Sequence, residues 1–148
     1  MKSGTAFRSG GSRLAVLALL LAGCAAKPPP EVALSTDLAA MRATASQVIA
    51  DPARRARVQS DIDGLGHELE ALEHAIAKVR NDLHELNSRG ARRPEVEAAL
   101  GEFDAARKSI RARIMDRHFG LIAGTTPDEW KALAPHERDA LLAAAGRT

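Results

Sequence analysis

The sequence predicts an all-α chain: an antiparallel helical hairpin, coiled-coil-like, with short flanking helices. Composition is the first observation, because Ala, Leu, Glu and Arg favour helices while β-branched and aromatic strand formers are sparse. The second is a heptad repeat of apolar residues in the middle of the chain. The third is a pair of Gly- and Pro-containing breaks that bound a second long helical segment.

The first 23 residues have the features of a secretory signal peptide. Lys2, Arg8 and Arg13 supply positive charge, and no acidic residue occurs before Glu31. The uncharged run from Leu14 to Ala26 is shorter than the ~18–20 apolar residues that a membrane-spanning helix needs. A basic segment, a short apolar run and then small residues are typical of an export signal.

The tetrapeptide "LAGC", Leu21 to Cys24, resembles a bacterial lipobox. In such lipoproteins the peptide is cut before the cysteine, and its thiol carries a diacylglyceryl group. Two or more acyl chains anchor a protein stably, so we predict Cys24, the only cysteine, as the lipidation site. By the same resemblance Ala25, which is not aspartate, favours the outer membrane, facing the periplasm. An ordinary signal peptide with an incidental cysteine, or a buried helix, is the alternative.

Loss of the signal changes the charge balance of the chain. Removing its three basic residues leaves 18 of the 21 Lys and Arg against all 19 Asp and Glu, a balance of −1. A mature domain without excess positive charge gives no support for a nucleic-acid partner. We expect a lipidated, Pro-rich tether over residues 24–34 and one helical domain over residues 35–148.

The first flanking helix is predicted from Ser35 or Thr36 to Ala50. Its apolar residues recur at helical spacing: Leu38, Met41, Ala45 and Val48. Asp51 then predicts an N-cap and Pro52 the first position of the next helix.

The next segment carries the heptad repeat. Nine apolar residues alternate at spacings of four and three: Val58, Ile62, Leu65, Leu69, Leu72, Ile76, Val79, Leu83 and Leu86. This two-in-seven seam is the pattern of a coiled coil. Gly64 and Gly66 fall outside the seam, where each weakens the helix by about 0.5–1 kcal/mol relative to alanine.

A turn over residues 87–95 separates the two long helices. Gly90 suits a helix C-cap, and Pro94 suits the first turn of the following helix. That helix continues at helical spacing to about residue 122 through Val96, Leu100, Phe103, Ile110, Ile114 and Leu121. Arg107 occupies a seam position, and Gly124 ends the helix. Long helices joined by a short loop fold back as an antiparallel hairpin.

Two short helices are predicted at the C-terminus. Thr126 is the expected N-cap of the first, with Pro127 at its first position and Glu129 reaching back in a capping box. The segment "APHERDALLAAAG" predicts a separate last helix that ends at Gly146.

We expect no metal and no other cofactor. His67, Glu70 and His74 lie on one side of a helix and could bind a transition metal, but the heptad register turns them to solvent. A site in which Met115 and His118 join His67 is an alternative, because the returning helix passes the start of the heptad run.

The sequence gives no support for an enzyme. It lacks a Gly-x-Ser-x-Gly elbow and a Gly-rich phosphate loop, and a narrow hairpin provides no deep pocket. The basic run Arg107–Arg117 divides between two sides of the apolar stripe. We expect it to pair with acidic residues of the neighbouring helix, namely Asp61, Glu68, Glu73 and Asp82.

The hexapeptide "TTPDEW", Thr125 to Trp130, resembles the LTxxQ-type motif of the Spy/CpxP family and related periplasmic heavy-metal sensor proteins. The order of helices from about Leu34 to Leu133 is also similar. The resemblance implies an exported helical hairpin with a chaperone or metal-sensing role. Thr125 replaces the leucine and Glu129 the glutamine, so the family's client surface and metal ligands do not transfer residue by residue.

Two functions follow as hypotheses: a stress- or metal-responsive sensor or chaperone of the envelope, or a structural coiled-coil adaptor that binds another envelope protein. We also expect self-association, because a thin hairpin cannot bury all apolar residues beside its seam. These are Leu38, Met41, Val48, Ala99, Ala106, Met115, Phe119, Ile122, Trp130 and Leu133. The alternative is that the short terminal helices fold back and cover them.

Overall fold

The chain folds into four helices. The computed structural model describes residues 29–146, with helices α1 (Pro30–Val48), α2 (Pro52–Ser88), α3 (Arg93–Gly124) and α4 (Pro127–Ala144). No strand occurs within these residues, and the predicted all-α class is confirmed. Within the same range, no helix is long and apolar enough to cross a membrane. The predicted signal peptide and Cys24 lie outside the described residues.

The two long helices α2 and α3 form the predicted antiparallel hairpin. Gly90 provides the turn with a φ of 64°, which a residue with a Cβ atom adopts only with strain. Close to this tip the side chains of Arg89 and Glu95 pair at 2.7 Å. Farther from the tip, Arg113 of α3 pairs with Glu68 of α2, also at 2.7 Å. The sequence numbers of the paired residues move apart along the hairpin, as antiparallel packing requires.

Both terminal helices fold back onto the end of the hairpin opposite its tip. Helix α1 runs antiparallel to α2, where Arg42 donates to Asp63 at 2.6 Å and Gln59 donates to Ser46 at 2.9 Å. Helix α4 packs mainly along α1 and also contacts α2. We call this four-helix part the base. The two-helix part beyond it, residues 79–103, is the outer hairpin.

The hydrophobic core lies in the base. On α2 the first four seam residues, Val58, Ile62, Leu65 and Leu69, are fully buried, whereas the later ones are only half-buried. The other helices contribute Leu34, Leu38, Met41, Ala45, Ile49, Ile110, Ile114, Leu121, Leu133, Ala140, Ala143 and Ala144. Burial therefore falls along the seam where four packed helices become two.

The predicted α3 seam is wrong at Leu100, which is 46% exposed. Leu100 and His118 are 18 residues apart, so they lie on the same face of α3 about five turns from each other. At His118 this face meets α4, through a contact with Glu137. Leu100 lies in the outer hairpin, where only two helices pack.

Fold-back of the terminal helices buries part of the apolar surface that led us to expect self-association. Leu38, Met41 and Leu133 are buried in the base. The alternative expectation, that the terminal helices cover the stripe, is thus confirmed for these residues. Met115, Phe119 and Ile122 stay exposed. The oligomeric state remains a prediction that depends on those residues.

Helix α1 begins at Pro30, before the predicted start at Ser35 or Thr36. Proline is well tolerated in the first turn, where its missing N–H has no helical partner. The Ser35 and Thr36 hydroxyls donate to the Val32 carbonyl at 3.0 and 2.7 Å, within the helix, instead of capping it. Leu34, which we assigned to the tether, is buried in the core.

Helix α4 is continuous, so the prediction of two short C-terminal helices is wrong. Pro135 lies inside it and removes one helical hydrogen bond. Pro135 is on the exposed face, whereas Leu133 and Ala140, on either side of it in the chain, are both buried. Burial of residues before and after the proline holds the helix together across it.

At Gly66, α2 is in close contact with the Leu38 side chain of α1. A Cβ atom at this position would lie 2.9 Å from Leu38 Cδ1, inside normal contact distance. The glycine weakens the isolated helix, but it allows α1 to dock.

The predicted N-caps Asp51 and Thr126 are confirmed, and the capping box of Thr126 joins two helices. Asp51 accepts from the Arg54 backbone N–H at 2.6 Å, and Thr126 and Glu129 form the capping box of α4. The Glu129 carboxylate also accepts two bonds from the Arg54 guanidinium, one of 2.9 Å. One carboxylate thus caps α4 and ties it to the start of α2.

We predict that Glu129 makes stability depend on acidic pH. The Arg54 hydrogen bond and the Thr126 backbone N–H lower the pKa of Glu129 from its ordinary value of 4.5 to about 2. A lowered folded-state pKa stabilises the fold above pH ~4.5, and this contribution is lost as pH falls towards 2. Urea unfolding at pH 7, 4 and 2.5 should show wild type more stable than Glu129→Gln at pH 7, with the gap narrowing on acidification. A gap that is the same at all three values would contradict the prediction.

Candidate functional site

The residues considered as alternative metal ligands are spread over several surfaces. His67, Glu70 and His74 are exposed on α2, as the heptad register predicts. Met115 is exposed on α3, whereas His118 is half-buried and faces α4. Within residues 29–146, no three His, Cys, Asp or Glu side chains converge in a way that could hold a metal ion.

His118 forms a polar contact between α3 and α4. Its Nδ1 atom lies 2.9 and 3.0 Å from the two carboxylate oxygens of Glu137. An ionised carboxylate only accepts hydrogen bonds, so Nδ1–H is the donor in this pair. The Glu137 side chain is 6% exposed and that of His118 is 29% exposed. The pair therefore lies at the edge of the base, with the carboxylate inside and the imidazole at the surface.

Two aromatic rings surround this imidazole. Phe119 and Trp130 both meet the His118 ring edge-to-face, with ring centres 5.4 and 5.6 Å away. Such contacts contribute about 0.5–1.5 kcal/mol beyond the area they bury. The aromatic and polar contacts together fix the side chain of His118 between the two helices.

An exposed apolar stripe runs along α3 beside this cluster. Met115, Phe119 and Ile122, spaced four and three residues apart, lie on one face of the helix. They are 39%, 59% and 39% exposed. We call these three residues the α3 stripe. These three neighbouring apolar side chains form an exposed patch on α3.

Ion pairs across the hairpin account for part of the basic run before the stripe. Arg113 pairs with Glu68 at 2.7 Å, and Arg117 lies 3.4 Å from Asp61, as the sequence predicts. The predicted role of Asp82 is wrong, because it pairs with Lys78 one turn away on its own helix. Arg107 and Lys108 likewise pair within α3, both with Asp104.

A shallow groove lies between α2 and α3 where the base meets the outer hairpin. Small residues of both helices, including Ala75 and Ala99, let the backbones approach, and Val79 and Phe103 line the groove. Its volume is about 190 Å³, smaller than the roughly 300–1,000 Å³ of typical ligand pockets. The groove and the α3 stripe offer apolar area without a convergent set of reactive groups.

Sequence reasoning singled out His118 but missed its hydrogen-bond partner on α4, Glu137. Glu137 is 19 residues away in the chain, and its burial is unusual for an acidic residue. Its position depends on the direction of α4, which we predicted as two separate helices. The capping box and the Arg54 contact set that direction, and only the capping box has a local signature.

Comparison with protein-family models, with curated proteins and with solved structures finds no match to this chain.

We predict that His118 contributes to stability through Glu137. His118→Leu leaves a buried carboxylate without its hydrogen-bond donor, which should lower the free energy of unfolding by about 1–3 kcal/mol. Replacing both residues by Leu should recover part of the loss, because no buried charge remains. Urea unfolding at pH 7 measures both effects, and the exposed His74→Leu is the matched control. Equal stability of His118→Leu and His74→Leu would refute the assigned contact.

Proposed function

We propose that this chain is a lipid-anchored protein of a bacterial envelope that binds polypeptides in the periplasm and catalyses no reaction. The observation that carries the binding role is the exposed α3 stripe. The proposed activity is chaperone-like: reversible capture of apolar segments of partly unfolded proteins.

The anchor is supported by the N-terminal sequence. "LAGC" follows a basic segment and a short apolar run in the order of a lipoprotein signal. Diacylglyceryl attached to Cys24, with a further acyl chain on the new N-terminus, would provide the two signals that stable anchoring needs. Ala25 supports the outer membrane as the location.

Polypeptide binding is supported by what the fold leaves uncovered. Helices α1 and α4 bury most large apolar residues, yet Met115, Phe119 and Ile122 remain at the surface on one helix face. For a Phe or Met side chain, full burial against a client provides about 1.5–3 kcal/mol. Three such contacts suit weak, reversible binding. Arg111, also exposed on α3, would keep water close to the α3 stripe and would attract acidic clients.

The resemblance of "TTPDEW" to the Spy/CpxP motif supports the same class of function. Thr126 and Glu129 act here as the two halves of a capping box, and Trp130 packs against His118. These contacts orient α4 beside the α3 stripe. We include no metal in the proposal, because the five alternative ligands do not come together.

A structural adaptor is the second candidate, and one observation favours it. The outer hairpin keeps its part of the seam accessible, with Val79, Leu83 and Leu86 only half-buried. A partner helix, or a second copy of this chain, could complete the packing there. A stable complex of fixed stoichiometry with one envelope protein, without capture of unfolded clients, would favour this candidate.

The anchor is tested by removing its attachment atom. Cys24→Ser should shift the protein from the membrane fraction to the soluble periplasmic fraction, since no acyl chain can be attached. Cell fractionation after a high-salt wash, followed by immunoblotting, measures the shift. Ala26→Ser is the matched control and should stay with the membrane. A Cys24→Ser protein that still sediments with membranes would refute the lipid anchor.

The binding role is tested at Phe119. Phe119→Ser should weaken capture of a reduced, unfolding model protein by about 10-fold, the equivalent of roughly one buried aromatic contact. Leu142→Ser is the matched control, because Leu142 is also exposed but lies on α4. Light scattering of the client in the presence of the vesicle-bound protein measures the effect. Equal activity of the two variants would exclude the α3 stripe as the client surface.

A further inference from the structure

We propose that the arginine-bearing tip of the hairpin faces the membrane that holds the anchor and contacts its anionic phospholipid headgroups. This inference rests on the proposed lipid attachment at Cys24. It adds an orientation and a second membrane contact to that proposal.

The start of α1 lies partway along the hairpin. Pairs between α1 and α2 join Arg42 with Asp63 and Ser46 with Gln59. Continuing this antiparallel register places Pro30 beside Ala75, next to His74, and residues of the next turn of α1 do line a groove together with His74. The roughly 14 residues of α2 from His74 to Ser88 rise about 21 Å. The tip thus projects about 21 Å past the start of α1.

The chain between the anchor and α1 is short. From Cys24 to Pro29 any conformation spans at most about 18 Å, at ~3.6 Å per residue. The membrane surface must therefore come within about 18 Å of Pro29. In the opposite direction, the 19 residues of α1 extend the base about 28 Å from Pro29.

These lengths exclude one orientation. The protein cannot stand on its base with the tip pointing away from the membrane, because the tether is about 10 Å too short to pass the base. The arrangements left range from upright, with the tip at the membrane, to lying along the surface. In the upright arrangement the tip reaches the headgroups, since its projection of about 21 Å matches or exceeds the tether.

Charge favours the upright arrangement, in which the tip faces the membrane. The tip turn carries Arg89, Arg92 and Arg93 with no acidic residue among positions 89–93, and all three are exposed. The far end of the base carries the exposed acidic residues Asp51 and Asp128 together with the exposed basic residues Arg57 and Lys131, so its charges are mixed. An anionic leaflet therefore attracts the first end more strongly than the second.

The ion pairs at the tip do not remove this attraction. Arg89 pairs with Glu95 and Arg93 with Glu97, but these pairs are solvent-exposed and exposed pairs contribute little. Both glutamates also lie in the first turns of α3, farther from the end of the hairpin than the arginines. Headgroup phosphates can therefore bind the guanidinium groups in a bidentate manner.

The test uses the full-length acylated protein in vesicles. A fluorophore is placed on Ser88→Cys at the tip or on Ala50→Cys at the far end of the base, and a quencher is attached to lipid headgroups. With phosphatidylglycerol in the bilayer, we expect the Ser88 label to be quenched several-fold more than the Ala50 label. Equal quenching, or stronger quenching at Ala50, would overturn the orientation.

Two double variants test the role of charge. Arg92→Gln/Arg93→Gln should lower the ratio of molecules with the tip on the membrane to those with the tip off it. We expect a decrease of about 5-fold for each arginine removed, measured as quenching of the Ser88 label. Arg57→Gln/Lys131→Gln, which removes the same charge from exposed positions near the far end, should leave tip quenching unchanged. Equal tip quenching in neutral phosphatidylcholine vesicles would overturn the headgroup contact.

Flotation of the vesicles separates the two proposals. A protein that does not float with the vesicles contradicts the lipid anchor, and the tip proposal fails with it. A protein that floats but leaves the Ser88 label unquenched contradicts only the tip proposal.

Discussion

The structure depends on one geometric constraint: two antiparallel helices can bury only one stripe of each other. The α2 seam is long enough for about four heptads, but α3 alone leaves its sides open. On α2 the apolar seam is fully buried only between Val58 and Leu69, where α1 and α4 pack against the hairpin. Leu38 of α1 packs closely over Gly66 of α2, and docking of α4 uses the Glu129 contact with Arg54. The base is therefore a four-helix core, and the outer hairpin is an extension of it.

Features with a local cause could be predicted from the sequence. The heptad spacing gave the hairpin, Gly90 its turn, and Thr126 with Glu129 the start of α4, because each depends on residues within a turn or two. Features set by distant packing could not. Pro135 breaks an isolated helix, yet α4 continues because residues on both sides of it are buried in one core. Leu100 fits the seam spacing, yet it is 46% exposed, because it lies in the outer hairpin where only two helices pack.

The candidate site follows the same division. His118 was identified as a residue of interest, but as an alternative metal ligand beside His67 rather than as the partner of Glu137. That contact requires α4 to turn back after Thr126 so that Glu137 meets His118, and no short sequence motif predicts this packing. The α3 stripe could be predicted only in part. The sequence shows that α3 has more apolar residues than its seam needs, but which of them stay exposed depends on where the terminal helices pack. The proposed binding role and the proposed orientation at the membrane both use surfaces that this packing leaves free.

Hydrogen exchange along α2 tests the central claim, that the base is a four-helix core and the outer hairpin a two-helix extension. Local opening requires less free energy where fewer apolar contacts are broken. Amides from about Val58 to Leu69 should exchange only through global unfolding. Amides from about Val79 to Leu86 should exchange earlier and with a smaller free energy of opening. Uniform protection along the whole of α2 would contradict the account, because it would mean that the outer hairpin is also covered.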